Sequence, residues 1–194
     1  SKFIIKGAKP LHGSVKVSGA KNSATKLMVA SMLSDERSFF NNSPNGISEL
    51  GVTIDLCKIL GSDIKQTDDK LEIQTPNINT SEIPSDYGNV NRVSILTAGV
   101  LLHRNGEAKI PIPGGCKIGS RPVNFHIEGL KKLGCAVEMS DYFYHLKADN
   151  LRGNNIHLEY PSVGATENIL MAATLAKGRT IIFNAAIEPE IYDL

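Results

Sequence analysis

An internal repeat constrains the fold of this 194-residue chain more than any other feature of its sequence. Residues 59–64, Ile-Leu-Gly-Ser-Asp-Ile, match residues 132–137, Lys-Leu-Gly-Cys-Ala-Val, at a separation of a little over seventy residues. Residues 69–73 match residues 142–146 at the same separation. Repetition at a fixed period is typical of a supersecondary unit that recurs along a chain. The sequence therefore predicts copies of one unit instead of a single irregular domain.

Each copy is predicted to run β-α-β-α-β-β, from the spacing of its apolar and turn residues. The first copy is assigned strands at 13–17, 38–41, just after Gly61 and at 70–74, with helices from about Asn22 to Leu33 and at 48–60. The second copy is assigned a helix at 91–102, a strand at 107–111, a helix at 123–133, and strands at 136–139 and 142–147. The third copy is assigned a strand at 155–159, a helix at 163–176 and a strand at 179–183. Residues 2–6 add a strand, and the proline-containing residues 75–86 are predicted to be a linker.

The third copy is unfinished at Leu194, where the next helix should begin. A truncated unit would leave an apolar edge uncovered. We therefore predict an α/β fold that is one part of a longer protein.

Composition excludes several classes of function. The chain is 41% hydrophobic with a net charge of +1, so it has a core but no basic surface for nucleic acid. It has no apolar run that could span a membrane and no signal peptide, which predicts a cytoplasmic protein. The odd, widely spaced cysteines and the five scattered histidines fit neither disulfides nor a metal site.

Residues 113–123, Pro-Gly-Gly-Cys-Lys-Ile-Gly-Ser-Arg-Pro-Val, combine a glycine-rich backbone with one thiol and two cations. Glycine reaches backbone angles that other residues avoid, so this segment could close over a ligand as a lid. Lys117 and Arg121 favour the thiolate form of Cys116 and make it a candidate nucleophile or acid. An ordinary turn with an inert cysteine is the alternative.

Lys21, Arg92 and Ser162 occupy equivalent places at the predicted start of the first helix in each copy. Helix N-termini present free N–H groups and partial positive charge, so with Arg121 they would form an anion site. Lys21 and Arg92 could instead be surface residues with acidic partners. His126 could face this site or make a structural hydrogen bond, whereas Cys57 and Cys135 are interpreted as packing residues.

Four motifs, at residues 18–22, 113–123, 162–166 and 184–191, closely resemble those of the UDP-N-acetylglucosamine 1-carboxyvinyltransferases. These enolpyruvyl transferases open peptidoglycan synthesis and so serve the cell wall, cell shape and division. The resemblance spans almost the whole chain but only about the first half of the family's length. The Cys-bearing motif and residues 162–166 argue against the shikimate-directed relatives.

The resemblance implies two domains of repeated units, each an inside-out α/β barrel, with the active site in the cleft between them. Residues 1–18 would belong to the second domain, most of which lies beyond Leu194, and residues 19–194 would form an incomplete first domain. The family's general base, an Asp, lies in the missing half. The fragment alone is therefore expected to be inactive.

The resemblance also implies the reaction, in which a sugar hydroxyl of UDP-N-acetylglucosamine adds to phosphoenolpyruvate and phosphate leaves. No cofactor or metal takes part. Catalytic roles fall on Cys116, Lys21 and Arg121. Substrate contacts fall on Asn22, Arg92, Pro122, Val123, Asn124, Ser162, Val163 and Gly164.

Three positions depart from the family pattern. Asn124 stands where an Asp is common, residues 45–48 lack a usual Lys, and Lys26 ends an Ala-Thr-Lys run where an apolar Leu-Pro pattern is usual. A different nucleotide acceptor is therefore one alternative. A non-catalytic nucleotide-sugar-binding fragment is a second, and a Cys116 that serves only as a redox-sensitive thiol is a third.

Overall fold

The computed structural model describes residues 2–7, 10–90, 92–113 and 123–194, apart from the side chain of Asn89. Its elements in chain order are α1 (Lys21–Ser31), β1 (Ser38–Phe40), α2 (Ser48–Leu60), β2 (Asp63–Thr67), β3 (Lys70–Gln74), α3 (Tyr87–Val90), α4 (Val93–Asn105), β4 (Glu107–Pro111), α5 (Asn124–Lys132), β5 (Ala136–Met139), β6 (Phe143–Lys147), β7 (Asn155–His157), α6 (Val163–Thr174), β8 (Ile181–Phe183) and α7 (Pro189–Asp193).

The repeat seen in the sequence is present in the sheets. The first sheet has the order β1-β3-β2 and the second the order β4-β6-β5, and both are antiparallel throughout. Ile64 faces Ile73 in the first sheet, and the repeat-equivalent Val137 faces Leu146 in the second. The predicted α/β class is therefore confirmed, and the two sheets share one strand order.

The predicted linker at 75–86 is part of the packed structure. Its residue Glu82 forms a parallel bridge with Lys109 of β4, and Ile83 is fully buried. β7 and β8 make the matching parallel pair in the third copy. Residues 75–86 thus connect the first two copies, but they pack against β4 instead of running free of the structure.

Neither N-terminal strand prediction is correct. Residues 2–7 and 10–20 contain no strand, and Phe3, Ile5 and Val15 are each more than 80% exposed. A strand is stable only when a neighbouring strand pairs with its backbone groups. Among the described residues, β1 pairs with β3 alone and has no partner from 13–17.

A layer of helices covers the sheets, with α4 between α1 and α6. Every residue from Val93 to Leu102 is buried, as expected for a helix that is apolar on all sides. Gly99 lets α4 approach α6 closely, because a Cβ at this position would lie 2.9 Å from the backbone nitrogen of Ala172. Left-handed glycines, Gly61 and Gly106, end α2 and α4.

Helix lengths agree with the sequence prediction to within about three residues at each end. α2 and α4, at 13 residues each, are the longest helices in the described ranges. None of these helices has the length and apolar character that crossing a membrane requires.

Candidate functional site

The three predicted anion-binding positions all lie at helix starts. Lys21 is the first residue of α1, whereas Arg92 and Ser162 precede the first residues of α4 and α6. Since α1 and α6 both pack against α4, these three helices belong to one layer. The placement follows from the repeat, because equivalent residues in each copy begin equivalent helices.

Lys21 already has an acidic partner. Its Nζ donates a hydrogen bond of 2.6 Å to Oε1 of Glu49, near the start of α2, and both side chains are about half exposed. This hydrogen bond is the main reason that the pKa of Glu49 is lowered to about 2. A lysine at a helix start opposes the helix dipole, so Glu49 compensates for an arrangement that a bound anion would also stabilise.

Asn22 contacts the C-terminal helix α7. Its side-chain amide donates to Oε1 of Glu190 at 3.4 Å, and the neighbouring Ser23 hydroxyl donates to Asp193 at 2.8 Å. The contact was missed because 168 residues separate the two side chains.

A buried histidine lies between the starts of α4 and α6. His126 is 5% exposed, and the Asn168 Nδ2 atom lies 3.3 Å from its Nδ1. A Cβ on Gly164 would be 3.2 Å from Cε1 and 3.4 Å from Nε2 of this ring. Burial and, to a smaller extent, the positive charge of Arg92 lower the pKa of His126 to about 3. Arg92, His126 and Gly164 are thus brought together from three helices.

The start of α6 offers two backbone donors. The Ser162 hydroxyl accepts a hydrogen bond of 3.3 Å from the Ala165 N–H, as an N-cap residue does. Within the described ranges, no acceptor lies within hydrogen-bonding distance of the Val163 and Gly164 N–H groups. A free N–H pair at a helix start suits a phosphate group.

The start of α5 carries two further predicted contacts. Val123 is 5% exposed and packs in the hydrophobic core. Asn124, the first residue of α5, is exposed. Cys116, Arg121 and Pro122 lie outside the described residues, and their roles stay predictions.

The other two cysteines are packing residues, as predicted. Cys57 is fully buried and Cys135 is 5% exposed. Burial raises the pKa of the Cys57 thiol to about 12 and that of Cys135 to about 11. Neither thiol is a nucleophile at neutral pH.

The described surface also has a cavity that lies away from these residues. A cavity of about 320 Å³ is bounded by Lys109 of β4, His145 of β6 and the adjacent Glu82, and none of the predicted site residues lines it. Across the described ranges, no three His, Cys, Asp or Glu side chains are grouped closely enough to hold a metal ion.

We expect His126 to remain neutral between pH 8 and pH 5, because burial and Arg92 both oppose its protonation. An unfolded histidine protonates near pH 6.5, so the neutral imidazole contributes stability above about pH 6.5 that is lost as the pH falls toward 3. NMR of histidine-labelled full-length protein checks this, with His126→Gln identifying the signal. A signal that titrates with a midpoint between 5.5 and 7 would contradict it.

Comparison with known proteins identifies the family. The family model for EPSP synthase (3-phosphoshikimate 1-carboxyvinyltransferase) matches residues 5–194. The chain belongs to this family. Carboxyvinyl transfer is the reaction that the family's description names, which agrees with the resemblance drawn from the four sequence motifs.

Curated relatives within this family carry a more specific name. UDP-N-acetylglucosamine 1-carboxyvinyltransferase of Chlamydia pneumoniae is 51% identical over 97% of this chain and 42% of its own length. The protein of the same name from Prochlorococcus marinus NATL1A is 46% identical over 98% of this chain and 42% of its own length. This chain therefore spans less than half the length of these relatives.

The crystal structure of the enolpyruvyl transferase NikO from Streptomyces tendae has the same fold as this family member. Its TM-score is 0.80 at 20% identity, and the match covers 96% of this chain and 44% of that one. At this level of identity the likeness supports the fold and carries no information about the acceptor.

Proposed function

We propose that the full-length protein transfers the enolpyruvyl group of phosphoenolpyruvate to UDP-N-acetylglucosamine and releases phosphate. The name shared by relatives at 46–51% identity supports this choice of substrates. The observation that carries the chemistry is the placement of Lys21 and Arg92 at the starts of α1 and α4, together with the N–H pair of Val163 and Gly164 at the start of α6. Both substrates bear phosphate, and phosphoenolpyruvate adds a carboxylate, so each group has a complementary donor.

In this proposal Lys21, Arg92 and Arg121 bind the phosphate and carboxylate of phosphoenolpyruvate. Their charges orient the substrate and stabilise the negative charge on the departing phosphate. Lys21 would exchange part of its contact with Glu49 for the substrate. Asn22, whose amide now donates to Glu190, would bind the sugar beside its reacting hydroxyl.

The acceptor's nucleotide would lie along the starts of α5 and α6. The N–H groups of Val163 and Gly164, next to Ser162, would bind its diphosphate. Arg121, Pro122, Val123 and Asn124 would contact the rest of the nucleotide.

The reaction itself requires one proton to be delivered and one to be removed. As the sugar oxygen bonds to the central carbon of phosphoenolpyruvate, the methylene carbon takes a proton, for which the Cys116 thiol is the proposed donor. The sugar hydroxyl loses its proton to a base outside this chain. Loss of a proton from the methyl group then expels phosphate and restores the carbon–carbon double bond.

We further propose that the repeated units complete an inside-out α/β barrel and that residues 1–18 join the second domain. The exposed apolar side chains of Phe3, Ile4 and Ile5 support this assignment, because such a surface is stable only when another part of the protein covers it. A cytoplasmic location is part of the same proposal.

Full-length protein incubated with phosphoenolpyruvate and UDP-N-acetylglucosamine tests the function. We expect phosphate release that depends on both substrates, together with an enolpyruvyl product detected by mass spectrometry. Samples without the sugar nucleotide are the control. Phosphate release that does not increase when the acceptor is added would refute the proposal.

A different nucleotide acceptor is the second candidate, and Asn124 is the observation that favours it. This residue is exposed at the start of α5, where the resembling family commonly has an Asp. A screen of nucleotide sugars decides between the two candidates. If kcat/KM is higher with another nucleotide sugar, that compound is the acceptor in place of UDP-N-acetylglucosamine.

A further inference from the structure

An ion pair lies inside the helix layer, between α1 and α6. Lys26 Nζ is 3.7 Å from Oε1 of Glu167, and the side chains are only 17% and 1% exposed. Neither carboxylate oxygen of Glu167 accepts a hydrogen bond from any described residue. A buried ion pair recovers little of its desolvation cost, so it is weak evidence for a purely stabilising role.

The Lys26–Glu167 pair lies close to the helix starts that form the proposed site. Lys26 comes five residues after Lys21, and Glu167 comes five residues after Ser162. With a rise of 1.5 Å per residue, the pair lies roughly 7–8 Å along the helix axes from both helix starts. Since α1 and α6 each pack on α4, the pair joins the two outer helices of this group directly.

Acidic side chains lie around Glu167, and Lys26 offsets them. Burial, as the largest cause, and the nearby Glu190 and Glu188 carboxylates raise the pKa of Glu167 to about 7. Lys26 opposes these effects. Glu190 is also the residue that accepts the hydrogen bond from Asn22. Without Lys26, Glu167 would take up a proton at neutral pH, and α1 and α6 would lose the ion pair that joins them.

We propose that Lys26 and Glu167 are positioning residues, which hold the start of α1 at the distance from the start of α6 that the reaction requires. This inference rests on the proposed function, in which the first helix start binds phosphoenolpyruvate and the second binds the acceptor. The pair touches neither substrate. Its loss therefore lowers kcat more than it weakens the binding of either substrate alone, because a displacement of about 1 Å between reacting groups can cost 100-fold in rate.

A double-mutant cycle in the full-length protein tests the proposal, using Lys26→Met, Glu167→Gln and the double variant. We expect each single variant to lose at least tenfold in kcat, while the Kd for UDP-N-acetylglucosamine changes less than threefold. The double variant should lose no more than the worse single variant, because both changes remove one interaction. Single variants within twofold of wild-type kcat, or a double loss equal to the product of the single losses, would overturn the proposal.

Two controls separate positioning from stability. Ser62→Ala removes a buried hydrogen bond of 2.7 Å to Thr75 and should leave kcat unchanged at a temperature where it is folded. Glu82→Gln repeats the same chemical change in the ion pair with Lys109 on the sheet and should also leave kcat unchanged. If Glu167→Gln does not fold, Glu167→Asp takes its place under the same thresholds, since it keeps the charge but shortens the side chain.

Hydrogen exchange provides a readout that does not depend on turnover. We expect Glu167→Gln to accelerate amide exchange at least tenfold in residues 24–28 and 165–169, the first hydrogen-bonded amides of α1 and α6, while α2 is unaffected. Unchanged exchange at both helix starts would refute positioning even in an active enzyme. If the wild-type protein releases no phosphate, the proposed function is refuted. The hydrogen-exchange result still decides whether the Lys26–Glu167 pair positions the two helix starts.

Discussion

Replacing Cys116 by serine in the full-length protein is expected to lower kcat for phosphate release by about 100- to 10,000-fold, the range typical for loss of a general acid. The thiol of Cys116 is the proposed proton donor, and a serine hydroxyl is a far weaker acid at neutral pH. Cys116→Asp should retain turnover, because a carboxylic acid can also deliver a proton. Steady-state phosphate release measures both variants.

Thiol labelling gives an independent check on Cys116. Fosfomycin, an epoxide phosphonate, should modify the wild-type protein at Cys116 alone, as read by peptide mass spectrometry. Burial keeps Cys57 and Cys135 in the unreactive thiol form, and Cys135→Ala, the matched control, should keep its turnover. If Cys116→Ser left turnover and fosfomycin inhibition unchanged, the catalytic assignment would fail.

Replacing Lys21 by alanine is expected to lower kcat/KM for phosphoenolpyruvate by about 100- to 1,000-fold, the cost typical of removing one preorganised electrostatic contact. Lys21 begins α1, where the helix dipole adds to its charge and attracts an anion. The variant should fold normally, because its present ion pair with Glu49 is half exposed and such pairs contribute little stability.

Lys131→Ala is the matched control for Lys21→Ala. Lys131 is 46% exposed and pairs with Glu128 at 2.9 Å, whereas Lys21 is 47% exposed and pairs with Glu49 at 2.6 Å. Lys131 lies at the opposite end of its helix, in the last turn of α5. If the two substitutions lowered kcat/KM for phosphoenolpyruvate equally, Lys21 would not be part of the site.

Much of the fold could be predicted from the sequence because the two sheets repeat the same local pattern of apolar and turn residues. The apolar pattern of residues 136–139 and 142–147 mirrors that of the first copy, and both sets form the predicted antiparallel strands. The predictions failed where pairing depends on distant partners. Residues 13–17 alternate like a strand, yet Val15 and Val17 are exposed, and no strand in the described part of the chain pairs with them.

The candidate site could be predicted only in part. Repeat equivalence placed Lys21, Arg92 and Ser162 at helix starts, because a repeated local pattern begins each helix at the same residue. The side chains that surround them were not predictable. His126 had two open interpretations, and only packing against Gly164 and Asn168 showed how deeply its ring is buried.

The sequence by itself determined the family, the repeated unit and the residues that begin its helices, since each depends on motifs or on neighbours within one turn. Only the tertiary structure decided which charges meet. Lys21 pairs with Glu49, Asn22 with Glu190 and Lys26 with Glu167, all between elements remote in sequence. Ion pairs and burial depend on distances in space, which helix packing sets and no local pattern encodes.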